Sequence, residues 1–283
     1  MEAGKYFLYN DDIVVSDKPV ITVDNRSFRF GDGFFETMKM IDGNIILSDY
    51  HFRRLFSSLQ LLRFQNHDDF TIDYLTKSIR KIAAKNEHTK LARIRLTIFR
   101  GDGGLNDVEN NFHNYIIQTW KANEDSLQFN KEGLTTGIYT NARKTSDAFS
   151  HIKTNNYLPY LMGVLWAKEN KLDDAFILNN YNRIADATIA NIFLVKNSTI
   201  RTPALSEGCV GGVMRKFLLD CFQKENIAFN ETEINASELS DANEVFITNA
   251  SIGIKWIQQC ERHRYKNELS SYLFNKLILP LWK

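Results

Sequence analysis

Between residues 35 and 99 the hydrophobic pattern switches from period two to period three-to-four and back, and this switching constrains the fold more than any other feature. Residues 35–41 and 44–47 flank Asp42-Gly43, a dipeptide suited to a two-residue hairpin turn. Ser48 or Asp49 then caps a helix whose apolar residues Phe52, Leu55, Phe56, Leu59 and Leu62 recur at threes and fours. The spacing predicts a second helix over 69–85, with Ile72, Leu75, Ile79 and Ile82 turned inward. Residues 92–99 alternate Ile94, Leu96 and Ile98 with Arg93, Arg95 and Thr97, the pattern of a half-exposed strand. Another strand is expected over 115–120. The class is therefore mixed α and β.

The stretch 121–131 is polar and aperiodic, and we read residues 122–131 as a linker. It divides a smaller N-terminal domain, 1–121, from a larger one, 132–283. In the second domain strands are expected over 134–140, 174–178, 191–196 and 244–248, with helices over 157–170 and 212–225.

Composition excludes several function classes. Net charge is +1 and basic residues form no long run, so nothing points to nucleic acid or an anionic membrane. The densest basic stretch, Arg262-His263-Arg264-Tyr265-Lys266, reads as a surface turn. Three cysteines without a C-x-x-C pair argue against a disulfide framework or a zinc site, and we expect no metal. No apolar run is long enough to span a bilayer and no signal peptide is recognisable, so the expectation is a cytoplasmic protein.

Several residues can carry chemistry. Lys153, in Ser150-His151-Ile152-Lys153-Thr154-Asn155-Asn156-Tyr157, precedes a predicted helix. By itself it reads as a surface lysine, but burial or nearby cations turn a lysine into a Schiff-base nucleophile. Asp186 lies among small apolar residues ahead of a buried strand, a costly place for an acid unless it is paired. A protonated ring nitrogen would be such a partner; an Asx turn is the plainer account. Gly208-Cys209-Val210-Gly211-Gly212-Val213-Met214-Arg215 opens a helix with a glycine-rich turn, whose amides suit a phosphate and equally suit a structural turn. Arg54 can grip a phosphate or carboxylate with two parallel hydrogen bonds. Arg95 and Arg100, around a strand end, are candidates for a substrate carboxylate, with an exposed strand face as the alternative for Arg95.

Taken in order, these blocks resemble the fold-type IV pyridoxal-phosphate (PLP) enzymes. That family contains branched-chain aminotransferases, D-amino acid aminotransferases and aminodeoxychorismate lyases. The specific stretch is Gly31-Asp32-Gly33-Phe34-Phe35-Glu36-Thr37. It is followed by His51 with Arg54-Leu55, Arg100-Gly101, Lys153, Asp186 with Ala190-Asn191-Ile192-Phe193, Thr202-Pro203 and Gly212-Val213-Met214-Arg215. The resemblance implies a two-domain fold, with a small N-terminal α/β domain and a larger, mixed, β-barrel-like domain that binds PLP. It implies that Lys153 carries PLP as a Schiff base and shuttles a proton. Arg54 and the amides around Gly212, Val213 and Met214 would hold the phosphate. Tyr157 would reach the ring hydroxyl, and Asn249 would serve the phosphate side. Phe30, Arg95, Arg100, Ala250 and Ser251 would face substrate. It also implies a homodimer acting on a small molecule. One departure stands out: the family has glutamate where this chain has Asp186, so the shorter arm needs a backbone shift or a water.

Within the family, Glu244-Val245-Phe246-Ile247-Thr248-Asn249-Ala250-Ser251, Gly212-Val213-Met214-Arg215 and Arg100-Gly101-Asp102-Gly103-Gly104 resemble the lyases. Thr37 falls where those enzymes keep a threonine that assists elimination. The favoured activity is conversion of 4-amino-4-deoxychorismate to 4-aminobenzoate and pyruvate. An aminotransferase is the alternative, and a PLP-binding protein without activity is a third reading, raised by Asp186.

Overall fold

A computed structural model describes residues 1–106 and 110–283. Its backbone divides into two units. The first holds Met1–Ser126 and Lys153–Asn156, and the second holds Leu127–Ile152 and Tyr157–Lys283. The division falls inside the stretch read as a linker, part of which forms a 3-10 turn, Glu124–Leu127. The four residues beginning at Lys153 belong to the first unit, although the boundaries read from sequence placed them in the second.

The first unit contains a seven-stranded antiparallel sheet among the described residues. Its order is Asp12–Val15, Tyr6–Tyr9, His113–Lys121, Leu91–Arg100, Gly33–Ile41 and Asn44–Ile45, with Glu2–Ala3 also on His113–Lys121. Alternation makes the sheet two-faced. Phe34, Glu36, Met38 and Met40 share one face with Ala92, Ile94, Leu96 and Ile98. All eight are buried, and the helices Ser48–Leu61 and Ile72–Lys85 pack against the sheet. The opposite face carries Phe35, Thr37 and Lys39 beside Thr97, Arg95 and Arg93.

Asp42 and Gly43 both take positive φ, 46° and 73°, as a type I′ turn requires. The hairpin closes early, at Ile45. Leu47 then enters the left-handed region at φ 55° and starts the helix with no side-chain cap, in place of the expected Ser48 or Asp49. In that helix Phe52, Leu55 and Leu59 are buried, whereas Phe56 and Leu62 are only partly so. Ile72 is exposed rather than inward: Thr71 caps the second helix by accepting from the Tyr74 amide, and this leaves Ile72 on the solvent side of the first turn.

The second unit contains a nine-stranded mixed sheet among the described residues. Its order is Ile184–Ala187, Asp174–Asn179, Leu134–Lys144, Gly253–Cys260, Glu244–Asn249, Asn191–Lys196, Thr199–Pro203 and Phe229–Thr232, with His263–Arg264 on Gly253–Cys260. Leu134–Lys144 runs parallel to both neighbours. The two edges approach one another: the Ile184 amide donates to the Ile234 carbonyl at 2.8 Å, and Arg183 bridges Asn235. The sheet thus curls toward a barrel, around a core that includes Phe176, Ile192, Ile247 and Ile257. Helices Leu158–Glu169 and Val213–Lys224 begin where the sequence places them, to within a residue. The first buries Tyr160, Gly163 and Ala167 and leaves Leu158, Leu161, Met162 and Leu165 exposed. No described helix is long and apolar enough to cross a membrane.

Candidate active site

In the first unit the lysine segment adds to the start of the Gly33–Ile41 strand. The Phe35 amide donates to the Lys153 carbonyl at 3.0 Å, and the Asn155 amide donates to the Gly33 carbonyl at 2.9 Å. Two glycines make room for it. A Cβ on Gly31 would lie 2.2 Å from Asn156 Oδ1, and one on Gly33 would lie 2.5 Å from the Ile98 carbonyl and 2.6 Å from Asn155 Nδ2. Gly31 also needs its φ of 68° to end the helix Arg26–Phe30. The Gly-Asp-Gly motif is therefore a dock for the lysine segment.

This docking puts Lys153 Nζ 4.7 Å from the ring centre of Phe35. The Arg95 guanidinium carbon lies 3.7 Å from the same centre, and Arg95 Nε donates to Thr97 Oγ1 at 3.2 Å. Thr37 sits directly across the sheet from Arg95 on that face. Lys153, Arg95, Thr37 and Phe35 thus form one cationic, aromatic strip. Phe30 ends the short helix just before, partly exposed. Arg100 is held by contacts within the protein. It is buried and donates to Asp32 Oδ1 at 2.7 Å, Asn111 Oδ1 at 3.1 Å and the Leu62 carbonyl at 2.5 Å, over the Phe64 ring. These bonds tie Asp32 of the glycine motif to the strand end.

On the buried face Arg54 meets Glu36. Its Nε and Nη2 donate to Oε1 and Oε2 at 2.7 and 2.6 Å. His51 Nδ1 lies 2.6 Å from the same Oε2. Glu36 and His51 are fully buried, and His51 Nε2 has no hydrogen-bond partner. Burial opposes ionisation of Glu36, but the Arg54 charge and the His51 contact outweigh it and hold its carboxyl down at about 2. Burial keeps His51 below the usual histidine range, against the pull of Glu36.

The second unit builds its own cluster around Asp186. The strand Ile184–Ala187 shifts register there: Ile184 opposes Leu178 and Asp186 opposes Ile177, so Ala185 is an extra residue. A bulge re-aims the side chain that follows it. Asp186 is buried and accepts four hydrogen bonds. Its Oδ2 takes them from Tyr160 Oη at 2.7 Å, the Val210 amide at 2.9 Å and Lys144 Nζ at 3.1 Å. Its Oδ1 takes one from Asn191 Nδ2 at 2.9 Å. Burial and then Asp186 push the Tyr160 hydroxyl well above its usual range and the Cys209 thiol to about 12, so Cys209 is no nucleophile.

Asn191 also donates to the Val210 carbonyl, and its Oδ1 would lie 1.9 Å from a Cβ on Gly212. Gly212 therefore has to be glycine for Asn191 to reach Asp186. Gly212 is the N-cap of the Val213–Lys224 helix, and no side-chain hydrogen bond caps that turn. The side chains of Val213 and Met214 are in the core, and their amides belong to the first turn, where backbone donors have no intrahelical acceptor. Tyr157, beside Tyr160 with ring centres 4.5 Å apart, leads into the Leu158–Glu169 helix.

Asn249 shapes the loop that follows its strand. Its Oδ1 accepts from the Ser251 and Ile252 amides, and its Nδ2 donates to the Ile189 carbonyl. The carboxamide builds its own turn, with Ala250 and Ser251 half-buried within it. The sequence reading missed Glu36, Lys144 and Tyr160 as site residues. The signal for Glu36 was an acid inside an apolar strand; nothing local marks the other two.

A family model described as amino-transferase class IV matches residues 33–260. The chain is 26% identical to an aminodeoxychorismate lyase of Vibrio harveyi over 83% of this chain and 85% of that protein. It is 25% identical to branched-chain-amino-acid aminotransferase-like protein 2 of Arabidopsis thaliana over 84% of this chain, which spans only 43% of that protein. Its fold matches a branched-chain amino acid aminotransferase from Escherichia coli with a TM-score of 0.85, over 99% of this chain and 96% of the other, at 20% identity.

Proposed function

The chain belongs to the class IV aminotransferase family, and from that premise we propose that it is a PLP-dependent lyase releasing pyruvate from 4-amino-4-deoxychorismate to leave 4-aminobenzoate. The observation that carries the reading is the strip on the first sheet, where Thr37 stands opposite Arg95 and Phe35 lies under both Arg95 and Lys153. Such a strip offers a carboxylate grip, a hydroxyl and an amine on one face, and the substrate carries carboxylates and must lose an enolpyruvyl group.

The residues present suit PLP. Lys153 supplies an amine beside an aromatic ring, Gly212 a turn that any Cβ would crowd, and Asp186 a buried carboxylate already surrounded by donors. Bound PLP supplies an electron sink for the carbanion formed on the substrate. Lys153 Nζ would hold the cofactor, and its amine would take the ring proton of the substrate. Thr37 Oγ1 assists departure of the enolpyruvyl group, and Arg95 orients a substrate carboxylate. Arg54 and the amides of Val213 and Met214 would hold the phosphate, and Asp186 would pair with the pyridine nitrogen. Tyr157 would serve the ring hydroxyl. The protein acts as a cytoplasmic homodimer, a state supported by the exposed Leu158, Leu161, Met162 and Leu165 stripe.

The test is pyruvate release from aminodeoxychorismate by purified holoenzyme with no keto acid present. Glutamate formed from leucine or D-alanine with 2-oxoglutarate, and no pyruvate from aminodeoxychorismate, would instead assign an aminotransferase. Neither product would leave a cofactor-binding protein without turnover.

A further inference from the structure

Glu36 takes no part in the chemistry above, yet it is an acid on the helix-covered face of its strand, between Phe34 and Met38. A guanidinium carries five N–H donors in one plane. Glu36 accepts one from Nε and one from Nη2 of Arg54. That side-on pair fixes the plane of the group and aims its far edge, formed by Nη1 and the second Nη2 hydrogen, away from the carboxylate. His51 lies one helical turn before Arg54 and contacts Oε2 of Glu36, so the carboxylate itself cannot swing. An arginine held in this way has already lost the rotamer freedom it would otherwise lose on meeting an anion.

We propose that Glu36 and His51 are positioning residues that fix the Arg54 guanidinium for the phosphate of the cofactor. The proposal rests on reading Arg54 as a phosphate ligand. The ionisation of Glu36 down to about 2 keeps the pair intact over the working pH range. The consequence is selective: the cluster should matter for PLP and not for pyridoxal, which has the same aldehyde but no phosphate.

The experiment titrates the protein, stripped of cofactor, with PLP and separately with pyridoxal, following visible absorbance. The variants are Arg54→Ala, Glu36→Gln and His51→Gln. Arg54→Ala and Glu36→Gln should each weaken PLP about tenfold or more and leave pyridoxal unchanged; His51→Gln should weaken PLP less, again without touching pyridoxal. If Arg54→Ala leaves PLP affinity intact, Arg54 is not the phosphate ligand and the proposal falls with that reading. If Arg54→Ala weakens PLP but Glu36→Gln does not, the positioning role alone is overturned. Equal weakening of both ligands by Glu36→Gln would mark a purely structural residue and also overturn it. Should Glu36→Gln fail to fold, Glu36→Asp decides: it keeps the charge but withdraws the carboxylate, and an unchanged preference for PLP over pyridoxal overturns the proposal.

Discussion

Each unit has a buried carboxylate at the centre of its candidate-site cluster, Glu36 in one and Asp186 in the other, and the two are satisfied by different means. Glu36 in the first unit meets the Arg54 fork and the His51 ring. Asp186 in the second meets a phenol, an amide side chain, a backbone N–H and a single ammonium. The first is matched by charge and held down at about 2. The second is matched largely by neutral dipoles, and its neighbours Tyr160 and Cys209 are pushed up, first by their burial and then by its charge. A charge-matched acid is fixed in state and orientation and so suits a scaffold. An acid shared among several donors keeps its neighbours electrostatically responsive, which suits a group facing a cofactor ring.

The largest expected effect follows from removing each acid. Glu36→Ala strands a buried guanidinium edge and a buried imidazole, at a cost of about 3–5 kcal/mol. Asp186→Asn retains an acceptor for Tyr160 and Val210 and should cost about 1–3 kcal/mol. Urea denaturation of both variants measures the difference. Equal losses would break the comparison.

Acid should next separate the two units. Glu36 is depressed in the folded state, so its contribution is complete above the usual carboxylate value of 4.5 and is lost as pH falls toward about 2. The shift corresponds to about 3 kcal/mol. His51 is also lowered, so protonation opposes folding from about 6.5 downward, with the same sign. Asp174 in the second unit is raised by burial, and its contribution is greatest below 3.8 and falls as pH rises. Amide hydrogen exchange near pH 3 should therefore show protection lost in Gly33–Ile41 and Leu91–Arg100 before Asn191–Lys196 and Glu244–Asn249. Simultaneous loss would contradict the charge-matching account.

Two glycines sharpen the comparison at smaller scale. In Gly33→Ala the new methyl meets the Ile98 carbonyl, which is backbone in a central strand, so stability should drop by about 1–3 kcal/mol. In Gly212→Ala it meets the Asn191 side chain, which can rotate. Stability should change less there, but Asn191 leaves Asp186, and PLP affinity should fall about tenfold in equilibrium titration. Glycine thus protects a strand junction in one unit and a hydrogen-bond relay in the other.

Local chemistry was legible in the sequence and distant packing was not. The Asp42-Gly43 turn, the buried faces at Leu75, Ile79 and Ile82, and the cost of an unpaired Asp186 follow from residues near one another in the chain. The fold family was legible as well, through ordered motifs. The reason for Gly31 and Gly33 was not, because the segment they admit lies more than a hundred residues away. Tyr160 and Lys144 reach Asp186 from a helix and a strand whose own patterns carry no sign of it. The exposed Ile72, the helix start at Leu47 and the internal contacts of Arg100 were set by register and by partners that no periodicity reveals. The strands Thr199–Pro203 and Phe229–Thr232, at one end of the second sheet, are too short to announce themselves.

The smallest effect concerns Asn249, at the end of a strand of the same sheet as Asp186. Its side chain accepts from two amides of its own turn and donates to Ile189, and these three bonds lie within the second unit. A residue of this kind stabilises by shaping a loop, and its removal leaves two amides to be satisfied by water. Asn249→Ala should lower stability by about 1 kcal/mol, seen as a small shift in the denaturation midpoint. The same variant should leave PLP affinity unchanged, in contrast to Gly212→Ala. A matching loss of PLP affinity in Asn249→Ala would mark it as a cofactor ligand and would extend the donor network of the second unit beyond Asp186.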